Sequence, residues 1–583
     1  MHLTLPLMQC IIPPGDYFLL ITPSNQPRIN KRLLGLLSLG IFALAVTARI
    51  IPGPRTIDDS YITYRYARNL LMGSGFVFNP GERVLGTTTP LYTFMMVLSG
   101  ALIGGEQAPF PQIAMVINAF ADGGVCLLLI HLGRRFGFSF AGLGAALAWA
   151  IAPFSVTFSI GGLETSVFVF LMTGVVVAHL EEKHNYAACL GALSLLTRPD
   201  ALILIGPLMV DRCWQWFQTY PKGKLKPGGI LQELLVFTIP VTSWMLFASM
   251  YFGNPIPHSI TAKSLAYQLS PEAGFVRLLQ HFSTPFQEHL TFGLNWIGVG
   301  LVLYPFLYIV GAKRAFQNQP HAWPFITYPW LYFAVFALAN PLIFRWYLTP
   351  PLPAYFLFIL GGVEQILLFL MANIHIHFTN LRRVADIRQF KTAQISPNQE
   401  TPLPELLAAK PPRHMITYLV IIPVFLSPTL LLLKDWQIHP DHGLDRPAPE
   451  MAWYQIELLY QEAANILIRE NNANRNELKI LAAGDVGVLG YYTEMRMLDT
   501  VGLNSPQSTR YYPTKSSYYV TNYAIPPQLI MDTLPNFIVI PEVYGRAGLL
   551  KDPSFWQHYE LRETIPTDVY GSDGILILER VKP

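Results

Sequence analysis

Apolar residues follow one another in runs of about 20 along most of this chain, the length that a helix needs to cross the hydrocarbon of a membrane. About eleven such segments are predicted, at residues 33–52, 113–131, 138–154, 163–180, 186–197, 200–211, 231–252, 291–311, 322–340, 346–371 and 414–434. The segments 186–197 and 200–211 are short and are separated by Arg198-Pro199-Asp200, so they form either two short passes or one broken span. The pattern predicts a polytopic α-helical membrane protein.

Lysine and arginine between these segments predict the orientation of the chain in the membrane. They form the clusters Arg28/Lys31/Arg32, Arg134/Arg135, Arg212/Lys222/Lys224/Lys226, Lys313/Arg314 and Arg382/Arg383/Arg388. The positive-inside rule assigns all of them, and the N-terminus, to the cytoplasm. This parity requires that 186–211 cross twice and that the apolar stretch Leu91–Ile103 lie at the outer interface instead of spanning. Residues 53–112 and 253–290 are then long outer loops.

After Lys434 the pattern becomes that of a soluble protein. A helix is predicted at Met451–Asn471, and strands are predicted at Leu478–Ala483, Phe537–Ile540 and Ile575–Leu578. We therefore predict a cytoplasmic extension at 1–32, a membrane domain at 33–434 with a polar cytoplasmic linker at 384–413, and an α/β domain at 435–583. An odd number of crossings places this last domain outside the cell.

Composition agrees with a membrane protein and excludes several other classes. Of the 583 residues, 52% are hydrophobic and only 13% are charged, about half the charged fraction of an ordinary soluble domain. The net charge of +3 is small and no basic face forms, so nucleic acid is not an expected partner. The four cysteines include no CxxC pair and none follows residue 434, which argues against zinc and against a disulfide-stapled domain. Pro13, Pro14 and Asp16 interrupt the first apolar patches, so no cleavable signal peptide is expected.

Two adjacent acids, Asp58 and Asp59, directly follow the first predicted span. They stand at the start of a predicted helix that ends near Gly73 and Gly75, where glycine favours termination. The helix dipole and free amides favour ionised carboxylates at this position, which suits a group that accepts a proton from a hydroxyl. The alternative is structural: Thr56-x-x-Asp59 also has the spacing of a capping box.

The same region resembles the bacterial arabinofuranosyltransferase-like branch of the GT-C glycosyltransferases. The most specific block is Asp58-Asp59-Ser60-Tyr61-Ile62-x-x-Arg65-Tyr66-Ala67-Arg68-Asn69-Leu70, followed by Gly73-x-Gly75-Phe76-Val77-Phe78-Asn79-Pro80. Further blocks in the same order are Gly162-Leu163-Glu164-Thr165, Leu196-Thr197-Arg198-Pro199-Asp200, Tyr251-Phe252-Gly253-Asn254-Pro255-Ile256-Pro257-His258, Arg345-Trp346-Tyr347-Leu348 and Gly484-Asp485-Val486-Gly487. The resemblance implies the GT-C fold, a polyprenyl-phosphate sugar donor, an active site at the outer face of the plasma membrane and inverting transfer. It also implies that Asp58, beside Asp59, is the base.

The chain departs from the family pattern before and within the predicted interfacial helix. The family usually has Glu-Gly-Tyr-Thr and often Trp there, whereas this chain has Leu85-Gly86-Thr87-Thr88 and Tyr92. These changes would alter the pocket for the sugar or the acceptor, so the donated sugar is not assigned.

A lipid-phosphate donor requires cations that stabilise the departing phosphate. The candidates on the predicted outer side are Arg65, Lys263 and Arg345. The alternative for Lys263 and Arg345 is contact with lipid headgroups.

Five further residues are candidates for binding the acceptor or the sugar: Tyr61, Glu164, Arg198, Asp200 and His258. Glu164 either caps a helix or meets the acceptor, and Arg198 with Asp200 is either part of the site or a structural ion pair at a helix break. Tyr61 either stacks on a sugar or belongs to an interfacial aromatic belt. A divalent metal held by Asp58, Asp59, Glu164 and His258 is compatible with these residue types, but their spacing does not demand one.

The C-terminal motif Gly484-Asp485-Val486-Gly487 lacks the GxGxxG pattern of a dinucleotide site, so we interpret it as a strand-to-helix turn. By family similarity the domain around it is an acceptor-binding or glycan-binding module. The predicted function is a glycosyltransferase whose partners are a polyprenyl-phosphate donor, a glycan or lipid-linked acceptor and membrane lipid. The rivals are a transporter or flippase, which favours inverted repeats and charges near the bilayer midplane, and a noncatalytic scaffold, which gives the paired acids no task.

Overall fold

The computed structural model describes residues 29–219, 227–286, 294–371, 413–434, 452–471 and 479–581. The predicted N-terminal extension up to residue 28 and the predicted linker up to residue 412 lie outside these ranges.

Up to residue 434 the described part of the chain contains helices and no strand. Its helices are α1 (Lys31–Ile50), α2 (Asp58–Leu71), α3 (Pro90–Ile103), α4 (Phe110–Arg135), α5 (Ala141–Ile151), α6 (Pro153–Ile160), α7 (Thr165–Leu180), α8 (His184–Thr197), α9 (Leu202–Thr219), α10 (Pro227–Phe252), α11 (His258–Ala266), α12 (Ala273–Ser283), α13 (Leu294–Asn318), α14 (Trp323–Ala339), α15 (Leu352–Met371) and α16 (Arg413–Lys434).

Helices occupy all the segments that the apolar pattern marked as spans, but fewer of them have the length and hydropathy to cross a membrane alone. Within the described residues six helices do so: α1, α4, α10, α13, α14 and α15. The count becomes seven if α5 and α6, which meet at a bend of 46°, form one span. Pro153 begins α6 and explains this bend, since proline is accommodated in a first turn but not in a helix interior. The total of eleven crossings therefore stays a prediction.

The two predicted outer loops contain helices of their own. Residues 53–112 form α2 and α3, and residues 253–290 include α11 and α12. Helix α3 is apolar but has only 14 residues, which span about 21 Å against a hydrocarbon core of about 30 Å. Its length agrees with the prediction that it does not cross the membrane.

A buried ion pair ties the first span to the second. The Arg49 guanidinium near the end of α1 donates from Nε to Asp122 Oδ2 of α4 at 2.7 Å, and both side chains are fully buried. Trp149 and Ser166 also donate to the Asp122 carboxylate, at 3.2 and 2.9 Å. Since a charge in such surroundings must be paired, this cluster fixes the end of α1, from which the chain leads into α2.

The C-terminal domain is an α/β unit built on a mixed five-stranded sheet. Its helices are α17 (Ala452–Asn471), α18 (Gly487–Thr493), α19 (Pro527–Thr533) and α20 (Glu542–Gly545), and its strands are β1 (Ile480–Ala483), β2 (Arg496–Asp499), β3 (Phe537–Pro541), β4 (Tyr559–Ile565) and β5 (Ile575–Arg580). The strand order is β2-β1-β3-β5-β4, with β1 parallel to β2 and β3, and β5 antiparallel to β3 and β4.

The predicted helix and the predicted strands β1, β3 and β5 are present, whereas β2 and β4 were not predicted from the sequence. Strand β4 exposes most of its side chains, and its sequence Tyr-Glu-Leu-Arg-Glu-Thr-Ile lacks a clear apolar face. Strand β2 has only four residues. Both are edge strands, and edge strands are commonly short or charged.

One hydrophobic core joins this domain to the membrane part. Tyr61, Tyr64 and Tyr66 of α2 are buried in the same cluster as the strand residues Leu481, Ile538 and others of the sheet. The sheet and α2 therefore form one packed unit, and their shared boundary positions the candidate site.

Candidate functional site

A cavity of about 90 Å³ lies where the C-terminal domain meets the membrane part. Its lining comes from α2, from α11 and the residue after it, from the segment between α14 and α15, and from the C-terminal domain: Ile57, Asp58, Asp59, Ile62, Lys263, Tyr267, Phe344, Trp346, Ile456, Glu457, Gly484, Asp485, Val486, Leu503 and Tyr570. We call this the interdomain cavity. Its four contributing segments lie far apart in the sequence and must occupy the same side of the membrane.

Asp58 is the first residue of α2, and its carboxylate reaches the C-terminal domain. The backbone N–H of Val488 donates to Oδ1 at 2.8 Å, and that of Gly487 donates to Oδ2 at 2.9 Å. These amides belong to the first turn of α18, where backbone donors have no partner within the helix. Burial raises the pKa of Asp58 well above its ordinary value and so does Asp485, whereas the two amide bonds lower it.

The capping-box interpretation of the acid pair is wrong. Helix α2 has Ile57 at its N-cap, and no side chain makes the capping hydrogen bond. Asp58 instead caps α18, which is remote in sequence.

Asp59 faces the cation that the second outer loop supplies. Lys263 Nζ lies 3.4 Å from Asp59 Oδ2, and about a quarter to a third of each side chain is exposed. The ammonium also lies 4.8 Å from the centre of the Phe344 ring, within cation–π range. Although burial lowers the pKa of Lys263, Asp59 raises it, and the net direction is upward. Lys263 is thus held charged inside the interdomain cavity.

Two acids of the C-terminal domain line the same cavity. Glu457 of α17 accepts a hydrogen bond on Oε1 from the backbone N–H of Asp58 at 2.9 Å, while its buried Oε2 has no partner among the described residues. Burial raises the pKa of Glu457 well above its usual range. Asp485 follows β1 and accepts a hydrogen bond on Oδ2 from the Tyr460 hydroxyl at 2.6 Å. The cavity therefore gathers four carboxyl groups around one ammonium.

The other two predicted phosphate-binding cations differ in position. Arg65 is buried and donates to the backbone carbonyl of Met495 at 2.8 Å and to Asn79 at 3.3 Å, and it does not line the interdomain cavity. Arg345 stands between Phe344 and Trp346, which both line the cavity, and it interacts electrostatically with Tyr570. Of the three cations, Lys263 lies in the cavity and Arg345 lies beside it.

Glu164, Arg198 and Asp200 form a buried network next to this cavity. Arg198 binds the Asp200 carboxylate through two nitrogens at 2.9 and 3.0 Å and binds Glu164 at 3.3 Å. Arg198 and Asp200 both lie in the break between α8 and α9, so the predicted ion pair at this break is present. Glu164 holds the N-cap position of α7 but makes no capping hydrogen bond, so its predicted capping role is wrong.

The remaining two predicted residues, Tyr61 and His258, are not part of the lining of the interdomain cavity. The Tyr61 hydroxyl lies 3.3 Å from that of Tyr492, across the boundary with the C-terminal domain. His258 begins α11, and its backbone N–H donates to the Leu85 carbonyl at 2.8 Å, which joins the two outer loops. Within the described part of the chain, no three histidine, cysteine or acidic side chains are placed to hold a metal ion.

Sequence reasoning missed the acids of the C-terminal domain. A signal for Glu457 was available, because it shares one helical face with the buried Tyr460 and Ala464. Asp485 lay in a motif that we interpreted correctly as a strand-to-helix turn, since β1 ends at Ala483 and α18 begins at Gly487. No local pattern indicated that this turn would face α2.

A second cavity is apolar and carries no charged group. It has a volume of about 560 Å³ and is lined by residues of α2, α3, α8 and α10, among them Phe94 and Trp244, and by Phe76 in the segment between α2 and α3. Leu70 places it near the far end of α2, twelve residues or about 18 Å from Asp58.

Known proteins resemble this chain in sequence and in fold. A family described as a domain of unknown function (DUF8728) matches residues 450–577. Over 234 residues the chain is 29% identical to the terminal beta-(1->2)-arabinofuranosyltransferase of Mycobacterium tuberculosis. This match covers 36% of the chain and 35% of that protein, so the chain spans about a third of the length of this curated relative.

Solved membrane glycosyltransferase structures extend the comparison over most of the chain. The Archaeoglobus fulgidus oligosaccharyltransferase in its apo form aligns with a TM-score of 0.50 at 11% identity, covering 94% of this chain and 74% of that one. ArnT from Cupriavidus metallidurans, bound to undecaprenyl phosphate, aligns with a TM-score of 0.45 at 14% identity, covering 94% and 97%. The oligosaccharyltransferase alignment and the arabinofuranosyltransferase match confirm the resemblance: the chain is a polytopic membrane protein with the GT-C fold and is similar to an arabinofuranosyltransferase.

Proposed function

We propose that this protein is a glycosyltransferase that moves a sugar from a polyprenyl-phosphate donor to a hydroxyl group of a cell-envelope glycan or a lipid-linked acceptor. The observation that carries the proposal is the interdomain cavity, in which Asp58, Asp59 and Lys263 meet acids of the C-terminal domain. The motif resemblance and the arabinofuranosyltransferase match support the reaction type.

The chemistry of the cavity fits this reaction. The acceptor oxygen attacks the anomeric carbon, its proton passes to a carboxylate, and the carbon–phosphate oxygen bond breaks with its electrons moving to the departing polyprenyl phosphate. Lys263, held charged beside Asp59, is placed to stabilise the negative charge that develops on that phosphate. Direct displacement inverts the anomeric centre. The motif resemblance gives the role of base to Asp58, and the proposed function requires only that a carboxylate of the cavity accept the proton.

The position of the cavity favours an enzyme over a transporter. Asp58 and Asp59 lie eight and nine residues beyond the end of α1, in the outer segment that the C-terminal domain covers. A transporter favours ionisable groups near the bilayer midplane. We place the cavity and the C-terminal domain on the extracytoplasmic face of the plasma membrane, as the positive-inside rule requires for the basic clusters.

The test uses the full-length protein in proteoliposomes with synthetic polyprenyl-phosphate-linked arabinofuranose, or with the corresponding hexose donors, and extracted envelope glycan as the acceptor. We expect release of polyprenyl phosphate and glycosylated product from the wild type. We expect loss of both with Asp58→Asn, while Asp532→Asn, an exposed acid of α19, retains them. Wild-type turnover by Asp58→Asn would disprove a catalytic task for this cavity.

A cellular experiment identifies the sugar. Glycosidase digestion and mass spectrometry of envelope glycans would compare a deletion strain with the same strain that carries the wild-type chain or Asp58→Asn. A residue that is missing from the deletion strain and from the variant, and restored by the wild type, is the donated sugar. An unchanged glycan profile would contradict the proposed function.

A further inference from the structure

Tyr570 of the C-terminal domain has a backbone conformation that its side chain disfavours. It lies in a short turn between β4 and β5, and its φ and ψ of 59° and 19° fall in the left-handed region, where a bulky residue is an outlier. The other non-glycine residues of the described chain with positive φ lie within two residues of the end of an α-helix, where this conformation is common. They are Glu182, Asn340, Glu494 and Leu534. Helix termination therefore does not explain the strain at Tyr570.

The neighbouring residues hold Tyr570 in this conformation. Val569 is buried in the core that the sheet shares with α2, and its carbonyl accepts a hydrogen bond from the backbone N–H of Ser572 at 3.1 Å. The Gly571 carbonyl accepts a hydrogen bond from the Arg546 guanidinium at 2.9 Å. A strained residue persists only where its surroundings fix it, and such residues are concentrated at active sites and ligand-binding sites. The strain therefore makes Tyr570 a candidate for binding.

The Tyr570 ring lies at the mouth of the interdomain cavity. It contributes to the lining, yet the residue is 52% exposed, and it lies outside the described hydrophobic core that contains Val569. Asp58 and Asp485 are within electrostatic range of its hydroxyl. The turn thus presents an aromatic ring both to the acids of the cavity and to the water outside.

The cavity is too small to enclose a sugar. Its volume of about 90 Å³ compares with about 300–1,000 Å³ for the ligand pockets of proteins, and about three water molecules would fill it. A sugar whose hydroxyl group reaches the acids must therefore lie largely at the mouth, beside Tyr570. Sugar rings carry C–H groups on their faces, and these pack well on the negative face of an aromatic ring.

We propose that the Tyr570 ring is the surface on which a sugar unit of the acceptor glycan packs, and that this contact helps to determine which acceptor is used. The inference rests on the proposed glycosyl transfer and names a residue that recognises its acceptor. The half-exposed ring favours the acceptor over the donor, because a glycan approaches from water whereas the polyprenyl chain holds the donor in the bilayer. The ring is also near Asp58, the base in the motif resemblance, and a base contacts the attacking hydroxyl group.

Removal of the ring tests the proposal through the separate KM values of the two substrates. Tyr570→Ala should raise the KM for oligosaccharides released from the envelope glycan by about 5–20-fold. The KM for the polyprenyl-phosphate sugar and kcat should stay within about threefold of the wild type, and so should every constant of Tyr570→Phe, which keeps the ring. Trp556→Ala, which removes an exposed ring of the same domain that does not line the cavity, is the control.

Tyr570→Gly separates acceptor binding from folding. Glycine adopts positive φ without strain and alanine does not, so the glycine variant should unfold in detergent at a temperature roughly 1–3 °C above that of the alanine variant. Both variants lack the ring and should show the same rise in acceptor KM. Recovery of the acceptor KM in Tyr570→Gly would assign the effect to the backbone and overturn the proposal. A rise in the donor KM alone, or unchanged constants in Tyr570→Ala, would overturn it as well.

Direct binding distinguishes this proposal from the proposed function. Titration of the full-length protein with the same oligosaccharides, without donor, should show about 5–20-fold weaker binding by Tyr570→Ala than by the wild type. Absence of transfer by the wild type would refute the proposed function, while binding that depends on Tyr570 would still support the acceptor contact. Equal binding by the wild type and Tyr570→Ala, or no binding by either, would refute the contact itself.

Discussion

At the scale of single residues, the proposed function gives Lys263 an electrostatic task. Its ammonium stands between Asp59 and the Phe344 ring in the interdomain cavity. We predict that Lys263→Gln lowers kcat by about 10²–10³-fold, because the departing phosphate loses a fixed positive partner. Lys263→Arg retains the charge and should lose less. Steady-state kinetics with a synthetic polyprenyl-phosphate sugar measures both variants. Lys551→Gln, at an exposed lysine, is the control, and equal kinetics for the two glutamine variants would refute this role.

Gly487 is required by packing and not by its backbone angles. The site of its missing Cβ overlaps the Asp58 carbonyl, and neither backbone has room to move in this buried contact. We predict that Gly487→Ala destabilises the protein by about 1–3 kcal/mol through overpacking and lowers transfer, because it separates α18 from α2. Thermal unfolding in detergent measures the first effect. Gly35→Ala in α1, where the added methyl group meets open space, should not lower the melting temperature.

Sequence reasoning found about half of the acids in the cavity. Asp58 and Asp59 were recognisable, because two adjacent carboxylates at a helix start are unusual and belong to a motif. Glu457 and Asp485 were not, because their significance arises from contact with α2 across the domain boundary. Arg65 belongs to the same motif as Asp58. Its guanidinium, however, donates to the Met495 carbonyl and so holds α2 against the C-terminal domain. Motifs therefore identified the neighbourhood, and tertiary contacts decided which side chains enter the cavity.

At the scale of elements, the ion pair between α1 and α4 should control stability. Removing one partner of a buried pair leaves an uncompensated charge, which costs about 3–5 kcal/mol. We predict that Arg49→Met strongly lowers the thermal stability of the purified protein, and that Arg49→Met with Asp122→Leu recovers part of the loss. Asp573→Asn, at an acid that is 87% exposed, should have little effect. A double variant that is less stable than Arg49→Met alone would contradict this account.

Helices were more predictable than strands for physical reasons. Apolar runs placed every predicted span on a helix, since a segment that faces lipid must satisfy its backbone internally. Strand β4 could not be recognised, because its pairing with β5 stabilises it while its side chains remain exposed. The bend between α5 and α6 was likewise not predicted: Pro153 explains it only after the structure shows where both helices begin and end.

At the scale of the whole molecule, the structure links the orientation of several segments. The interdomain cavity takes residues from the loops after α1 and α10, from the segment before α15 and from the C-terminal domain, so all four share one side. Cys213 is exposed near the end of α9, in the region of a basic cluster that we assign to the cytoplasm.

Cysteine labelling tests this orientation. In a chain with Cys10→Ser, Cys189→Ser and Asp573→Cys, we predict that a membrane-impermeant maleimide labels residue 573 in intact cells, and that Cys213 reacts only after permeabilisation. The chain without the Asp573→Cys change is the control. Labelling of Cys213 alone in intact cells would reverse the topology and place the proposed reaction on the cytoplasmic face.

The hydrogen bond between Asp58 and Glu457 joins positions that are 399 residues apart. A ribosome that adds roughly 5–20 residues per second needs roughly 20–80 s to travel between them. For that interval the growing polypeptide already exposes α2 to the bilayer surface without the turn that carries Asp485. The proposed catalytic site is therefore completed late in biosynthesis, and we expect a ribosome that stalls before the last domain to leave an inserted protein without that site.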